Sequence, residues 1–96
     1  MSSRLVRFGV TYRLLLARKA QKFYKKADSS LAKRLNACFD QLQAEPFTHP
    51  NIKRLRGALE GYLRYRVGDW RVVYEVDIEA QIVTVLAIAH RREIYR

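Results

Sequence analysis

The chain has 96 residues, enough for one domain with a modest core, and is 49% apolar, which excludes a disordered segment. Nineteen Lys and Arg against nine Asp and Glu give a net charge of +10, which points to a polyanionic partner, either nucleic acid or an acidic protein. No run approaches the roughly 20 apolar residues that span a bilayer, and YRLLLA is too short for a signal peptide. A membrane partner is therefore not expected, and the cytoplasm is the expected location.

In chain order, RLVRFGV alternates weakly and suggests a short edge strand. From Tyr12 the pattern reads as helix, with Leu15, Leu16, Lys19, Ala20, Phe23 and Tyr24 at spacings of three and four. Arg18, Lys19, Lys22, Lys25 and Lys26 fill most of its remaining surface; they form either an ordinary solvated face or a track for RNA phosphates. ADSS supplies a turn and an N-cap, and Leu31, Leu35, Cys38, Phe39 and Leu42 make the stripe of a second helix that Glu45-Pro46 ends. The two helices form an antiparallel hairpin. Cys38 cannot form an internal disulfide and is read as a small buried hydrophobe. FTHPNIKRLRG reads as a loop, with His49 facing solvent.

Beyond it the helical period disappears. YLRYRV, WRVVYEV and IVTVLAIA read as three strands, the first two joined by a Gly68-Asp69 turn and the last two by DIEAQ. The whole is an α+β domain spanning residues 1–96, with a three- to four-stranded antiparallel sheet behind a helical hairpin. The two-residue turn sets Val67 opposite Trp70, Arg66 opposite Arg71 and Tyr65 opposite Val72. Side chains alternate along a strand, so Leu63, Tyr65, Val67, Trp70, Val72, Tyr74 and Val76 share a core face. Tyr62, Arg64, Arg66, Arg71, Val73 and Glu75 share the other. On the third strand the bulkier set Ile82, Thr84, Leu86 and Ile88 is expected in the core, with Val76 opposite Ile82. That register puts Val85, Ala87, Ala89 and Arg91 on the arginine side.

Arginines set directly opposite one another destabilise a sheet unless an anion lies between them. Such a face is either splayed into solvent or built for phosphate, which guanidinium groups bind as forks. Tyr95 and His90 are the nearby groups able to move a proton, the tyrosine if arginines acidify it. By alternation, His90 and Arg91 point to opposite faces unless the strand has already ended there. There is no Gly-rich phosphate loop, and Cys38, His49 and His90 do not have metal-ligand spacing; neither cofactor nor metal is expected.

The strings IKRLRG, YLRYRVGDWRVVYEVD and VTVLAIAHRREIY together resemble the toxins of the RelE/ParE superfamily, and more closely its RelE branch. The resemblance is dense from Ile52 to Tyr95. It implies a RelE-like, microbial RNase-like fold and metal-independent cleavage of mRNA in the ribosomal A site, with an acidic antitoxin as inhibitor and hetero-oligomeric partner. It implies catalytic roles for Arg71, Arg91, Tyr95 and Arg64, with His90 as a substitute proton carrier. RNA contacts are expected from Lys53, Arg54, Arg56, Arg66 and Tyr62, and from Lys22, Lys25 and Lys26 on the first helix. Tyr62 stands where some members have a second lysine. The ParE branch shares the fold but inhibits DNA gyrase, and an inactive homologue serving as co-repressor is a third possibility.

Overall fold

The computed structural model describes residues 11–94. Among them five strands form one sheet: β1 (Arg13–Leu16), β2 (Ile52–Arg54), β3 (Leu63–Val67), β4 (Trp70–Asp77) and β5 (Ile82–His90). Their order across the sheet is β1-β5-β4-β3-β2, antiparallel except for β1, which runs parallel to β5. Helices α1 (Arg18–Lys26) and α2 (Ser29–Ala44) pack on one face, and a short turn of helix, α3 (Arg91–Ile94), follows β5.

The helical hairpin forms much as the sequence suggests. Asp28 caps α2, its carboxylate accepting from the Leu31 amide at 2.8 Å, and α2 ends at Ala44, before Glu45-Pro46. Its stripe is buried at Leu35, Cys38, Phe39 and Leu42. The Tyr24 hydroxyl donates to Asn36 Oδ1 at 2.6 Å, tying α1 to α2. Phe23 carries α1 onto the sheet through an edge contact with Trp70, ring centres 4.9 Å apart.

The first helix starts at Arg18, not Tyr12. Leu14 and Leu16 pack on the core while Leu15 is exposed, the alternation of a strand. A run of three leucines satisfies both periods, and pairing with β5 decides between them. The expected opening strand RLVRFGV lies outside the described residues. The segment read as a loop contains β2, which pairs with β3 (Ile52 with Tyr65, Arg54 with Leu63), so the described residues alone supply five strands where three or four were expected. His49 is half-buried rather than solvent-facing: its ring lies 5.2 Å from that of Tyr65, and its Nδ1 accepts from the Asn51 amide.

The β3–β4 register agrees with the expectation at every pair, from Val67–Trp70 to Leu63–Tyr74. Gly68, at φ +60°, takes the first position of the turn, where an L side chain is strained. The third strand departs from the expectation. Val76 pairs with Val83, not Ile82, so Val83 and Val85 are buried where Ile82 and Thr84 were expected. A bulge opposite Val73 and Tyr74 then absorbs one residue, Leu86, and restores the expected faces beyond it: Ile88 in the core, Ala87 and Ala89 on the arginine side. The four-residue turn 78–81 permits this slip because its length does not fix a register.

Tyr74 is fully buried, and its hydroxyl donates to the carbonyl of Pro46, also buried, at 2.7 Å. Replacing Tyr74 with Phe orphans that carbonyl and is expected to destabilise the domain by about 1–3 kcal/mol in urea unfolding. Cys38 is buried too, and desolvation pushes its thiol up to about 12. It therefore stays a thiol at pH 8, and alkylation there should track global unfolding rather than proceed in the native protein.

Candidate functional site

The face of the sheet away from α2 is laid out in cross-strand rows. One row runs Lys53, Arg64, Val73, Ala87, and the next runs Arg66, Arg71, Ala89. The expected arginine face is thus assembled, floored by Val73, Ala87 and Ala89; Val85, expected in that floor, lies in the core because the register is shifted by one residue up to the bulge.

Arg64 and Arg71 do not splay into solvent. Each is only 7% exposed. Arg71 Nη1 donates to the carbonyls of Gly68 (2.8 Å) and Trp70 (3.0 Å), so the hairpin turn itself holds the guanidinium. Arg64 Nη1 donates to the carbonyl of Asn51 at 2.6 Å, while its Nε is buried with no hydrogen-bond partner among the described residues. A buried donor left unmet is costly and is the kind of group an incoming acceptor satisfies.

Arg91 begins α3 instead of ending β5. His90 and Glu93 explain why: the Glu93 carboxylate accepts from the His90 amide at 2.9 Å, and His90 Nδ1 accepts from the Arg92 amide at 3.3 Å. This is a capping box with His90 in the cap position, so the chain leaves the sheet there. Arg91 is tied to the β3–β4 turn, its amide donating to the Asp69 carbonyl at 2.8 Å. Its Nε lies 3.7 Å from an Asp69 carboxylate oxygen, the one ion pair among the described residues. Both groups are more than half exposed, so that pair orients more than it stabilises. Arg71 and Arg91 are therefore gathered at one turn, through Gly68 and Asp69.

His90 lies opposite Trp70, with ring centres 5.4 Å apart, on the core side of β5. Its Nδ1 is occupied as a helix cap, and its ring does not join the arginines. Tyr95 lies outside the described residues. Lys53, Arg54 and Arg56 are exposed and, with Arg64, line a groove of about 480 Å³. Arg66 is exposed beside Arg71. Tyr62 lines a neighbouring hollow of about 340 Å³ over Val73, Ala87 and Ala89. Lys22, Lys25 and Lys26 are exposed on α1 and line neither hollow.

Three contributors were not singled out from the sequence. Lys19 lines the smaller hollow; its place in the stripe with Ala20 and Phe23 was the signal that set it apart from the other basic residues of α1. Glu93 lines it as well, and the spacing of His90 to Glu93 was a legible capping signal. Asn51 acts through its backbone carbonyl, which side-chain identity does not report. Among the described residues no three His, Cys, Asp or Glu side chains come together as a metal site requires, and no helix is long and apolar enough to cross a membrane.

The family model described as the ParE toxin of the type II toxin–antitoxin system parDE matches residues 14–95. The chain belongs to the RelE/ParE superfamily of type II toxins. Solved structures agree with that membership. The Mycobacterium tuberculosis toxin–antitoxin complex RelBE2 contains a chain 29% identical to this one, with TM-score 0.73, covering 85% of this chain and 100% of that one. In the archaeal RelE–RelB complex from Pyrococcus horikoshii the values are 26%, 0.73, 84% and 96%. The YoeB/ParE toxin from Agrobacterium tumefaciens, 20% identical with TM-score 0.73, covers 81% of this chain and 96% of its own; it shares the fold. Comparison with curated proteins finds no relative.

The burial of Arg64 has a measurable consequence for stability. Its charge is buried against a single carbonyl, and that carbonyl also accepts from the Arg66 amide at 2.9 Å, so it is not orphaned when the side chain is lost. Arg64→Met should therefore be neutral or stabilising by about 1 kcal/mol in urea unfolding. A loss of stability of similar size would show that the cation serves the fold.

Proposed function

We propose that this toxin is a ribosome-dependent mRNA endoribonuclease that cuts in the A site, with an acidic antitoxin as its inhibitor. The observation that carries the reading is the pair of nearly buried arginines, Arg64 and Arg71, set on a sheet face of small residues beside the turn that also holds Arg91. Guanidinium groups held in place on a sheet face suit an anionic partner, which they meet as forks. A phosphate that gains charge during reaction is the partner such donors suit best, because donors fixed in advance reorganise little when charge develops.

The reaction suits these groups. The 2′-hydroxyl of the substrate attacks its own adjacent phosphorus, the 2′-O–P bond forms and the P–O5′ bond breaks, leaving a 2′,3′-cyclic phosphate and a 5′-hydroxyl. One proton leaves the 2′-oxygen and one arrives at the 5′-oxygen. Arg71 and Arg91 hold the non-bridging oxygens of the phosphorane, and Arg64 supplies the donor that has no partner among the described residues. Proton transfer falls to Tyr95 rather than His90, whose ring packs on Trp70 and whose Nδ1 caps α3. Lys53, Arg54, Arg56 and Arg66 lead the RNA backbone in, and the remaining basic surface of α1 follows rRNA phosphates.

The matching family model, which carries the ParE name, favours a second reading, inhibition of DNA gyrase by binding without nuclease activity. Translation of a defined mRNA with and without ribosomes, with 3′ ends mapped by primer extension, separates the two. Cuts within codons that require ribosomes are expected, and Arg71→Ala with Arg91→Ala should reduce them at least about 100-fold. Intact mRNA together with arrest of DNA synthesis before translation would establish the gyrase reading instead.

A further inference from the structure

The smaller hollow is not explained by phosphate chemistry. Its floor is Val73, Ala87 and Ala89, without a charge, and Tyr62 and Leu59 form part of its wall. Leu59 and Ile94 line both this hollow and the cationic groove that contains Arg64, so the two are contiguous. An anion-binding groove that opens into an apolar, aromatic-walled hollow of about 340 Å³ has the plan of a nucleotide: phosphate on one side, base on the other.

Two charged side chains at the rim give the hollow a direction. Lys19 comes from α1 and Glu93 from α3, and no ion pair joins them. One Glu93 oxygen is engaged by the His90 amide, which fixes the carboxylate and leaves the other oxygen as an acceptor. The rim therefore offers a fixed anionic acceptor and a cationic donor over an apolar floor. Guanine alone among the four bases presents two adjacent donors, N1–H and the 2-amino group, next to a carbonyl oxygen. Adenine and cytosine offer a carboxylate one amino group flanked by a ring acceptor, and uracil one N–H flanked by two carbonyls.

We propose that this hollow is a guanine-selective nucleobase subsite, with Glu93 reading N1–H and the 2-amino group, Lys19 reading O6, and Tyr62 lying against the ring. The assignment rests on the RNA-binding reading of the arginine face and deepens it. It makes Lys19 and Glu93 determinants of which sequences are bound, separate from the arginines that act on phosphate.

The test is a titration of the purified toxin with each of the four nucleoside 5′-monophosphates, followed through the amide NMR signals of Ala87 and Ala89. GMP is expected to bind about tenfold more tightly than AMP, CMP or UMP. Glu93→Gln keeps an acceptor for the His90 amide but removes the charge, and should abolish the preference. Ala87→Leu fills the floor and should remove the guanine preference, read at Ala89, while leaving the phosphate response of Arg64 and Arg71. Guanine preference in a protein that fails to cut mRNA would support the subsite and count against the nuclease. Equal affinity for the four nucleotides, no response at Ala87 and Ala89, or a preference that survives Glu93→Gln would overturn the subsite, whatever the cleavage assay shows.

Discussion

The two-residue turn between β3 and β4 is the constraint from which the site follows. With only Gly68 and Asp69 to join the strands, the pairing of Val67 with Trp70 is forced, and every side chain from Leu63 to Tyr74 is committed to one face or the other. The same turn then acts a second time. Its Gly68 carbonyl receives the Arg71 guanidinium, and Asp69 receives the amide and side chain of Arg91. A single tight turn thus sets register, buries one cation and anchors the segment that carries another.

Such a turn works only if its backbone can take the required shape. Gly68 at φ +60° provides that, and a β-carbon there would also run into the Arg34 guanidinium. The energetic burden lies elsewhere, in holding Arg64, Arg66 and Arg71 together on a sheet whose opposite face is the core. Backbone carbonyls of Asn51, Gly68 and Trp70 meet part of it. For Arg64 that partner is a carbonyl dipole, which holds a guanidinium without cancelling its charge.

How much of this was legible in the sequence depended on how local the determining interaction was. The β3–β4 register could be read because two residues fix it, and α2 could be read because cap, stripe and proline agree. The start of α1 could not, since Leu14, Leu15 and Leu16 fit both periods and a strand far along the chain decides between them. β2 was hidden for the same reason: three residues of a basic segment become a strand only because β3 offers an edge. The arginine face was visible as a pattern, but its burial was not, because the carbonyls that permit it are backbone atoms. The end of β5 was misjudged because alternation was continued past His90, although His90 and Glu93 stand at capping-box spacing.

The bulge in β5 shows how a local irregularity serves the distant site. The four-residue turn after β4 starts β5 one residue out of the expected step, which buries Val83 and Val85 and suits the core. Carried unchanged to the end of the strand, that step would turn Ile88 away from the core and send Ala87 and Ala89 into it. Absorbing Leu86 reverses the faces midway, so both halves of β5 bury their best residues. The small pair Ala87 and Ala89 then comes to lie beside Val73 and Arg71, where larger side chains would fill the hollow. Because His90 follows in the same restored step, its ring meets Trp70 and its Nδ1 is placed to start α3. The position of Arg91 is therefore set from both sides, by a turn that fixes where β4 begins and by a bulge that fixes how β5 ends.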